Sequence, residues 1–425
     1  MKYTKFNKPL NHRLSAFYWI IHRKGIDMHN FRQITDDLYN VGANDRRIRM
    51  FENAHPVPRG MSYNSFLLMD EKTVLLDGVD NAIIEQFWQN LNAVLGERQL
   101  DYLVINHIEP DHCHPYADLL RRFPGLTIVG NQKTFTMLKQ FYEVELEGRT
   151  IEVKEGDTLQ TGKHNLTFYL APMVHWPEVM MTYDSTSKIL FCADAFGTFG
   201  PIDGKMYADE YKFDEEYLPE VRRYYASIIG KYGRNVNAIF DKIANLDIQM
   251  FCTLHGPIWR KDLHLILDKY RQWASYTPEE RGVVIAYGTV YGNTALVAEV
   301  LAKKLADGGV ENVHVYDVTA TDPSYVLADC FRFDRLVFAS ATFNAELFPF
   351  METLLLDLKN HNLTNRTVAL IENGSWAASS GRKMREILDQ MKGLNILEPT
   401  LSFKSSPKDA DIEALDQLAK TLLAA

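Results

Sequence analysis

The chain has 425 residues, 46% of them hydrophobic and 24% charged, with a formal net charge of −9. That length exceeds one ordinary core and predicts two or three domains. The acidic balance excludes the basic face that a nucleic-acid binder needs and suits, weakly, a partner with a positive patch, while no apolar run is long enough to span a bilayer.

In chain order, residues 1–28 read as an N-terminal extension. Basic residues there precede the patch SAFYWII, which is short and lacks a small-residue cleavage site, so a signal peptide fits poorly. The segment reads instead as a surface extension or a stretch upstream of a start at Met28. From about residue 32 the runs DLYNVGA, NSFLLMD and KTVLLDGV predict a β-meander. NAIIEQFWQNLNAVLG has helical spacing, and DYLVINH is a short buried strand. The helix HPYADLLRRFPG and the strand LTIVGN follow, then the strands NLTFYLAPMV and SKILFCADAF. A helical stretch runs from about Tyr217 to Leu246, and QMFCTLHGPIW is strand, then loop. SYTPEERG, residues 275–282, is polar, contains Pro278 and reads as a linker. After it GVVIAYG, NVHVYDV, DRLVFASA, TVALIEN and ILEPTLSF alternate with helices. Such an α/β succession predicts a doubly wound parallel five-stranded sheet of the flavodoxin type. The expected domains are therefore 29–274 and 283–425, joined by 275–282.

The chemistry concentrates in NHIEPDHCHP. His107, Glu109, Asp111 and His112 follow a buried strand, where the ligands of α/β sheets collect. Alternate spacing at 107, 109 and 111 lets the side chains converge from one extended loop. His175, Asp194 and His255 each end a further predicted strand. Seven donors, four imidazoles and three carboxylates, exceed one tetrahedral ion and suit two metals bridged by a carboxylate. With no thiolate placed to bind, iron, manganese or zinc fits. A lone histidine at a strand end is more often structural, and a solvated charged loop is the bland alternative for the cluster. Yet buried acids and imidazoles without a metal carry a heavy desolvation cost. His114 reads as a solvated or supporting residue, and Cys113 and Cys192 as packing residues beside the ligands.

These residues carry a resemblance. HxHxDH is the metal motif of the metallo-β-lactamase-like hydrolases, and here Glu109 stands in the place of the second histidine. With His175 in HWPE, Asp194 in FCADAFG, and His255, the pattern resembles the flavodiiron proteins, or A-type flavoproteins, from about residue 30 to the C-terminus. The resemblance implies an α+β N-terminal domain, a metallo-β-lactamase-like αββα sandwich. It also implies His107, Glu109 and His175 on one iron, Asp111, His112 and His255 on the other, and Asp194 bridging. An extra anionic oxygen at position 109 favours higher iron oxidation states over a zinc-bound hydroxide. That suits electron delivery to a diatomic rather than attack on an ester or amide.

A second constellation follows the linker. The strand GVVIAYG enters the loop Thr289, Val290, Tyr291, Gly292, Asn293 and Thr294 and then a helix, so backbone N–H groups and hydroxyls can hold an anion. Neither GxxxxGK[ST] nor GxGxxG is present, which argues against a triphosphate or dinucleotide site. A monophosphate held by neutral donors suits FMN. The loops with Ser340, Ala341, Thr342, Phe343 and Asn344 and with Gly374, Ser375, Trp376 and Ala377 offer rings to stack on a flavin. As solvent-exposed loop aromatics they would instead form a partner surface. The three loops resemble those of flavodoxins. SATFN departs from the SPTYN type at Ala341 and Phe343, which keeps stacking but removes a phenol near the flavin.

Joined in one chain, the two cofactors make an electron relay ending at a metal pair. The resemblance implies reduction of O2 to water or of NO to N2O, serving detoxification. It also implies a head-to-tail homodimer or dimer of dimers, because the two sites occupy strand ends of separate domains. No CxxC pair follows the second domain, so an external donor such as rubredoxin or a flavin/NADH reductase is expected. The alternatives are a metal-dependent hydrolase with an accessory flavodoxin-like domain, marked by zinc without iron, and an electron carrier or redox sensor. The four cysteines, Cys113, Cys192, Cys252 and Cys330, form no CxxC pair, which fits a reducing, cytoplasmic setting.

Overall fold

The meander packs on both faces because its strands carry apolar residues at consecutive positions. In Phe66–Met69, Phe66 and Leu68 join one buried cluster and Leu67 another. In Thr73–Leu76, Val74 and Leu76 lie on the first side and Leu75 on the second. The computed structural model describes residues 29–424; the proposed extension 1–28 lies outside them. It places two sheets face to face. The first has seven strands in chain order: Arg32–Gln33, Leu38–Asn40, Phe66–Met69, Thr73–Leu76, Tyr102–Val104, Thr127–Gly130 and Thr150–Glu152. It is antiparallel up to Thr73–Leu76 and parallel beyond. The second has five strands: Thr158–Gln160, Asn165–Leu170, Met180–Asp184, Ile189–Phe191 and Met250–Cys252, with only the last pair parallel. Leu38, Phe66 and Val129 meet Leu166, Phe168 and Phe191 between the sheets. Helices supply the outer layers, completing the αββα sandwich: Phe87, Leu91 and Leu119 share a buried cluster with Leu67 and Leu103.

The second domain has the strand order Val313–Asp317, Glu280–Gly288, Phe333–Phe343, Arg366–Asn373, Leu394–Ile396, with every neighbour parallel. This is the doubly wound order that opens a crevice at the C-terminal strand ends.

The structure corrects several expectations. Strand Glu280–Gly288 begins inside the segment read as linker, because Glu280 to Gly282 extend the first strand of the sheet. The run ILEPTLSF is two strands, Leu394–Ile396 and Leu401–Phe403, both on Arg366–Asn373. Pro399 has no N–H to give a ladder, so the run breaks there. The ligand segment is not one extended loop: Pro110–Cys113 is a helical turn with proline at its start. Helices Gln132–Phe141 and Leu263–Ala274 and strand Met180–Asp184 also went unread. The helical stretch expected at 217–246 is present, its α-helices Leu218–Tyr224 and Gly233–Ile243 joined without a gap by a π-helical turn, Tyr225–Ile229, and a 3-10 turn, Gly230–Tyr232. Glycine at 233 lets the second helix approach Leu263–Ala274, since a Cβ there would lie 2.3 Å from the Ala274 carbonyl.

Buried charges join the two domains. Glu279 accepts from Lys269 Nζ at 2.6 Å and Trp273 Nε1 at 2.7 Å, and pairs with Arg222. Arg223 donates to the Pro56 carbonyl at 2.9 Å and to Ser324 Oγ at 3.1 Å, tying the first domain to the second. Among the described residues no helix is long and apolar enough to cross a membrane.

Candidate metal centre and flavin cavity

The metal candidates come from loops at the C-terminal ends of strands in both sheets of the sandwich. Asp77 fixes the first: its carboxylate accepts from the Asn106 and His107 backbone N–H groups at 2.8 and 3.1 Å and from Asn106 Nδ2 at 2.8 Å. Burial pushes Asp77 up to about 6 despite these hydrogen bonds. Glu109 precedes the helical turn that carries Asp111 and His112. His175, Asp194 and His255 follow Asn165–Leu170, Ile189–Phe191 and Met250–Cys252.

The seven side chains converge as two groups, His107, Glu109, His175 and Asp194 in one and Asp111, His112 and His255 in the other. Asp194 touches both. Its Oδ2 lies 3.1 Å from His175 Nε2 and 3.6 Å from His107 Nε2. Its Oδ1 lies 3.2 Å from His112 Nε2 and 3.7 Å from His255 Nε2. Glu109 Oε2 stands 3.0 and 3.1 Å from His107 Nε2 and His175 Nε2, and Asp111 Oδ2 stands 3.4 Å from both His112 Nε2 and His255 Nε2.

Electrostatics and hydrogen bonding agree on what is needed at the centre. Both carboxylate oxygens of Asp111, Asp194 Oδ1, His112 Nε2 and His255 Nε2 are buried and find no hydrogen-bond partner. Each such group costs on the order of 1–3 kcal/mol unless something satisfies it. Burial opposes charge on His175 and His112, yet the neighbouring carboxylates raise them to about 9 and about 8. Burial likewise works against an ionised Asp194, but His112 and His175 hold it well below the usual range. Cations at the two foci would satisfy these atoms and displace the protons. The donor set therefore fits a pair of divalent metals.

Supporting residues orient the rings. His107 Nδ1 donates to Glu178 Oε1 at 2.8 Å, which leaves Nε2 for the centre. His255 Nδ1 donates to the Ser62 carbonyl at 2.7 Å. Trp176 packs edge-on against His107, with centroids 5.4 Å apart. Tyr183 donates to the Asp247 carbonyl, and Phe196 stacks on Phe251. His114 is exposed. Glu178, Ser62 and Asp77 were missed by sequence reasoning. Only Glu178 had a signal, as the acid three residues after His175 in HWPE.

In the second domain a cavity of about 500 Å³ opens at the strand ends, lined by Thr289, Val290, Tyr291, Asn293, Thr294, Ala341, Thr342, Phe343, Asn344, Gly374, Ser375, Trp376 and Ala377. Its volume lies in the range of cofactor sites. Asn373, Ala345 and Ser405, unread in the sequence, complete the wall. Gly292 is not among the lining residues; it is exposed at φ 92°, its N–H donates to Thr289 Oγ1 at 3.0 Å, and it stands at the N-cap position of helix Asn293–Asp307. Ser340 lies beneath the floor, its Oγ donating to the Ala341 carbonyl and its own carbonyl accepting from Ser380 Oγ. Tyr291 and Trp376 are 92% and 91% exposed at the rim, so both rings are free to meet a ligand. A helix N-terminus, neutral donors and flat rings around one cavity fit a flavin monophosphate.

Comparison with known proteins agrees with this division. Residues 61–256 match the ODP family beta lactamase model and residues 285–416 the flavodoxin model. A nitric oxide reductase of Moorella thermoacetica is 31% identical, over 92% of this chain and 98% of its own length. The rubredoxin oxygen:oxidoreductase of Desulfovibrio gigas superposes with a TM-score of 0.87 at 27% identity, over 93% of this chain and all of that one. A flavo di-iron protein variant from Thermotoga maritima superposes with a TM-score of 0.84 at 26% identity, over 93% and 98%.

Proposed function

The chain belongs to the flavodiiron proteins, and from that premise we propose that it reduces O2 to water or NO to N2O at an iron pair fed by FMN. The observation that carries this is Asp194, whose two oxygens each face a separate group of donors. His107, Glu109 and His175 would hold one iron, Asp111, His112 and His255 the other, and Asp194 both. Once bound, the irons would bind and reduce the diatomic while FMN relays electrons singly. The side chains orient the site and keep bulk water out: His107, His112 and His255 are fully buried, and Glu109 and His175 are each 8% exposed. In the second domain Thr289, Asn293, Thr294 and the N–H groups of the helix start would hold the phosphate. Phe343 and Trp376 would flank the ring system.

The exposed rings of Tyr291 and Trp376 suit a covering surface, which we assign to a second copy arranged head to tail, as a dimer or dimer of dimers. A rubredoxin-type protein or a flavin reductase would deliver the electrons. All four cysteines are free and buried, which supports a reducing, cytoplasmic setting.

The test is metal and flavin analysis of anaerobically prepared protein, followed by stopped-flow mixing of the reduced form with each gas. Two irons and one FMN per chain and rapid reoxidation by O2 or NO are expected. Zinc without iron, and a reduced flavin that neither gas reoxidises, would point to a hydrolase instead.

A further inference from the structure

Helix Gln132–Phe141 ends beside the metal centre, and Tyr142 leaves it in extended backbone, φ −135° and ψ 135°. Consecutive side chains diverge there, and each reaches a different half of the centre. The Phe141 ring stacks on Trp176, centroids 6.5 Å apart, and Trp176 stands edge-on to His107. The Tyr142 hydroxyl donates to the Cys113 carbonyl at 3.0 Å and lies 3.5 Å from Cys113 Sγ, whose thiol can donate back.

Cys113 ends the helical turn Pro110–Cys113, which presents Asp111 and His112. So short a turn cannot hold itself, because its last carbonyls have no partner within it. Donors from outside complete it. The Gly78 N–H donates to the His112 carbonyl at 2.7 Å, and Tyr142 serves Cys113. The first donor is backbone at a close approach, since a Cβ at Gly78 would lie 2.7 Å from the His112 carbonyl oxygen. The second is a side chain.

His112 depends on that turn more than its neighbours do. His107 Nδ1 and His255 Nδ1 each have a fixed acceptor, Glu178 and the Ser62 carbonyl. His112 Nδ1 is buried with no hydrogen-bond partner among the described residues. Its ring direction is therefore set by packing and by the backbone beneath it.

Resting on the di-iron reading, we propose that Tyr142 is a positioning residue for the metal held by Asp111, His112 and His255: its hydroxyl pins the end of the ligand turn through Cys113.

The test uses the full chain reconstituted anaerobically with Fe(II) and FMN, and follows iron release to a chelator in wild type, Tyr142→Phe, Glu178→Ala and the double variant. Tyr142→Phe keeps the ring and its packing and removes only the hydroxyl. One of its two irons is expected to leave about tenfold faster and the other at the wild-type rate, the scale of freeing a group that orients a metal ligand. Glu178→Ala, which frees His107, is expected to speed the other iron, so that both leave early in the double variant. Wild-type release of both irons from Tyr142→Phe would overturn the proposal, even with a lowered urea midpoint, since the hydroxyl would then be a stabilising contact only. Equal acceleration of both irons would overturn it too, because that marks general loosening. A double variant that retains one slow iron would place Tyr142 on the same metal as Glu178 and sink the assignment. A wild-type chain that takes up no iron overturns the di-iron reading itself, and this proposal with it.

Discussion

Glu178 Oε1 accepts from His107 Nδ1 at 2.8 Å with both side chains fully buried. The same oxygen accepts the Ile108 N–H at 3.0 Å, so the carboxylate ties the ring to the backbone that carries it. Burial alone would raise Glu178, but the His107 hydrogen bond holds it below the usual range. Glu178→Ala should weaken Fe(II) binding about 10–100-fold, the usual effect of freeing a ligand histidine. Chelator competition measures it, and unchanged affinity would show that the ring is oriented by Trp176 packing instead.

Asp194→Ala removes the one group that both sets of histidines face. Gas reduction should fall below detection while FMN content stays at the wild-type level. Retained turnover would refute the bridging role.

Trp376→Ala leaves the flavin cavity without one of its two most exposed rings. FMN affinity should drop about tenfold, the scale of a lost aromatic stack and its buried area. Titration of the apoprotein with FMN decides it; wild-type affinity and spectrum would count against stacking.

His164 lies between two carboxylates, Nδ1 2.6 Å from Asp184 and Nε2 3.0 Å from Asp37. The hydrogen bond to Asp184 raises it to about 9, against burial and with help from Asp37. Its folded pKa lies above the unfolded one, so its contribution is complete below about pH 6.5 and fades as pH rises through about 9. For the two aspartates burial favours the neutral acid, but Lys163 and His164 lower Asp37, and His164 and Ser187 lower Asp184. Their contribution is present above about pH 4 and fades as pH falls. Urea unfolding should show about 1–2 kcal/mol lost between these upper limits, after allowance for screening. That slope should vanish in His164→Gln; an identical slope would place its origin elsewhere.

Arg366 is buried with only carbonyl partners: Tyr276, Cys330, Phe331, Thr364 and Asn365. It ties the end of the first domain to a helix terminus of the second. Arg366→Met should cost about 3 kcal/mol, because it strands several buried acceptors at once. Chemical denaturation measures it, and a loss below about 1 kcal/mol would mean that water replaces the guanidinium.

Much of this was legible because the signals are local. The run LDYLVI before NHIEPDHCHP marks a strand feeding a ligand loop, and the alternation after Gly282 marks the doubly wound sheet. What failed to show locally was decided at a distance. Met180–Asp184 is buried at every position, Asp184 included, so no alternation announces it. Glu178 gains its role from a ligand far along the chain, at His107. Pro399 stands in the run ILEPTLSF, which reads as one strand; that it splits the run into two came only from the structure.

By itself, then, the order of residues determined the donor types, the two kinds of sheet and the loops that carry chemistry, because periodicity, turn chemistry and ligand identity are written within a few positions. Only the tertiary structure decided which oxygen of Asp194 faces which histidines and which acid holds His107. Those relations depend on loops from separate strands arriving at one buried point, and packing alone sets that.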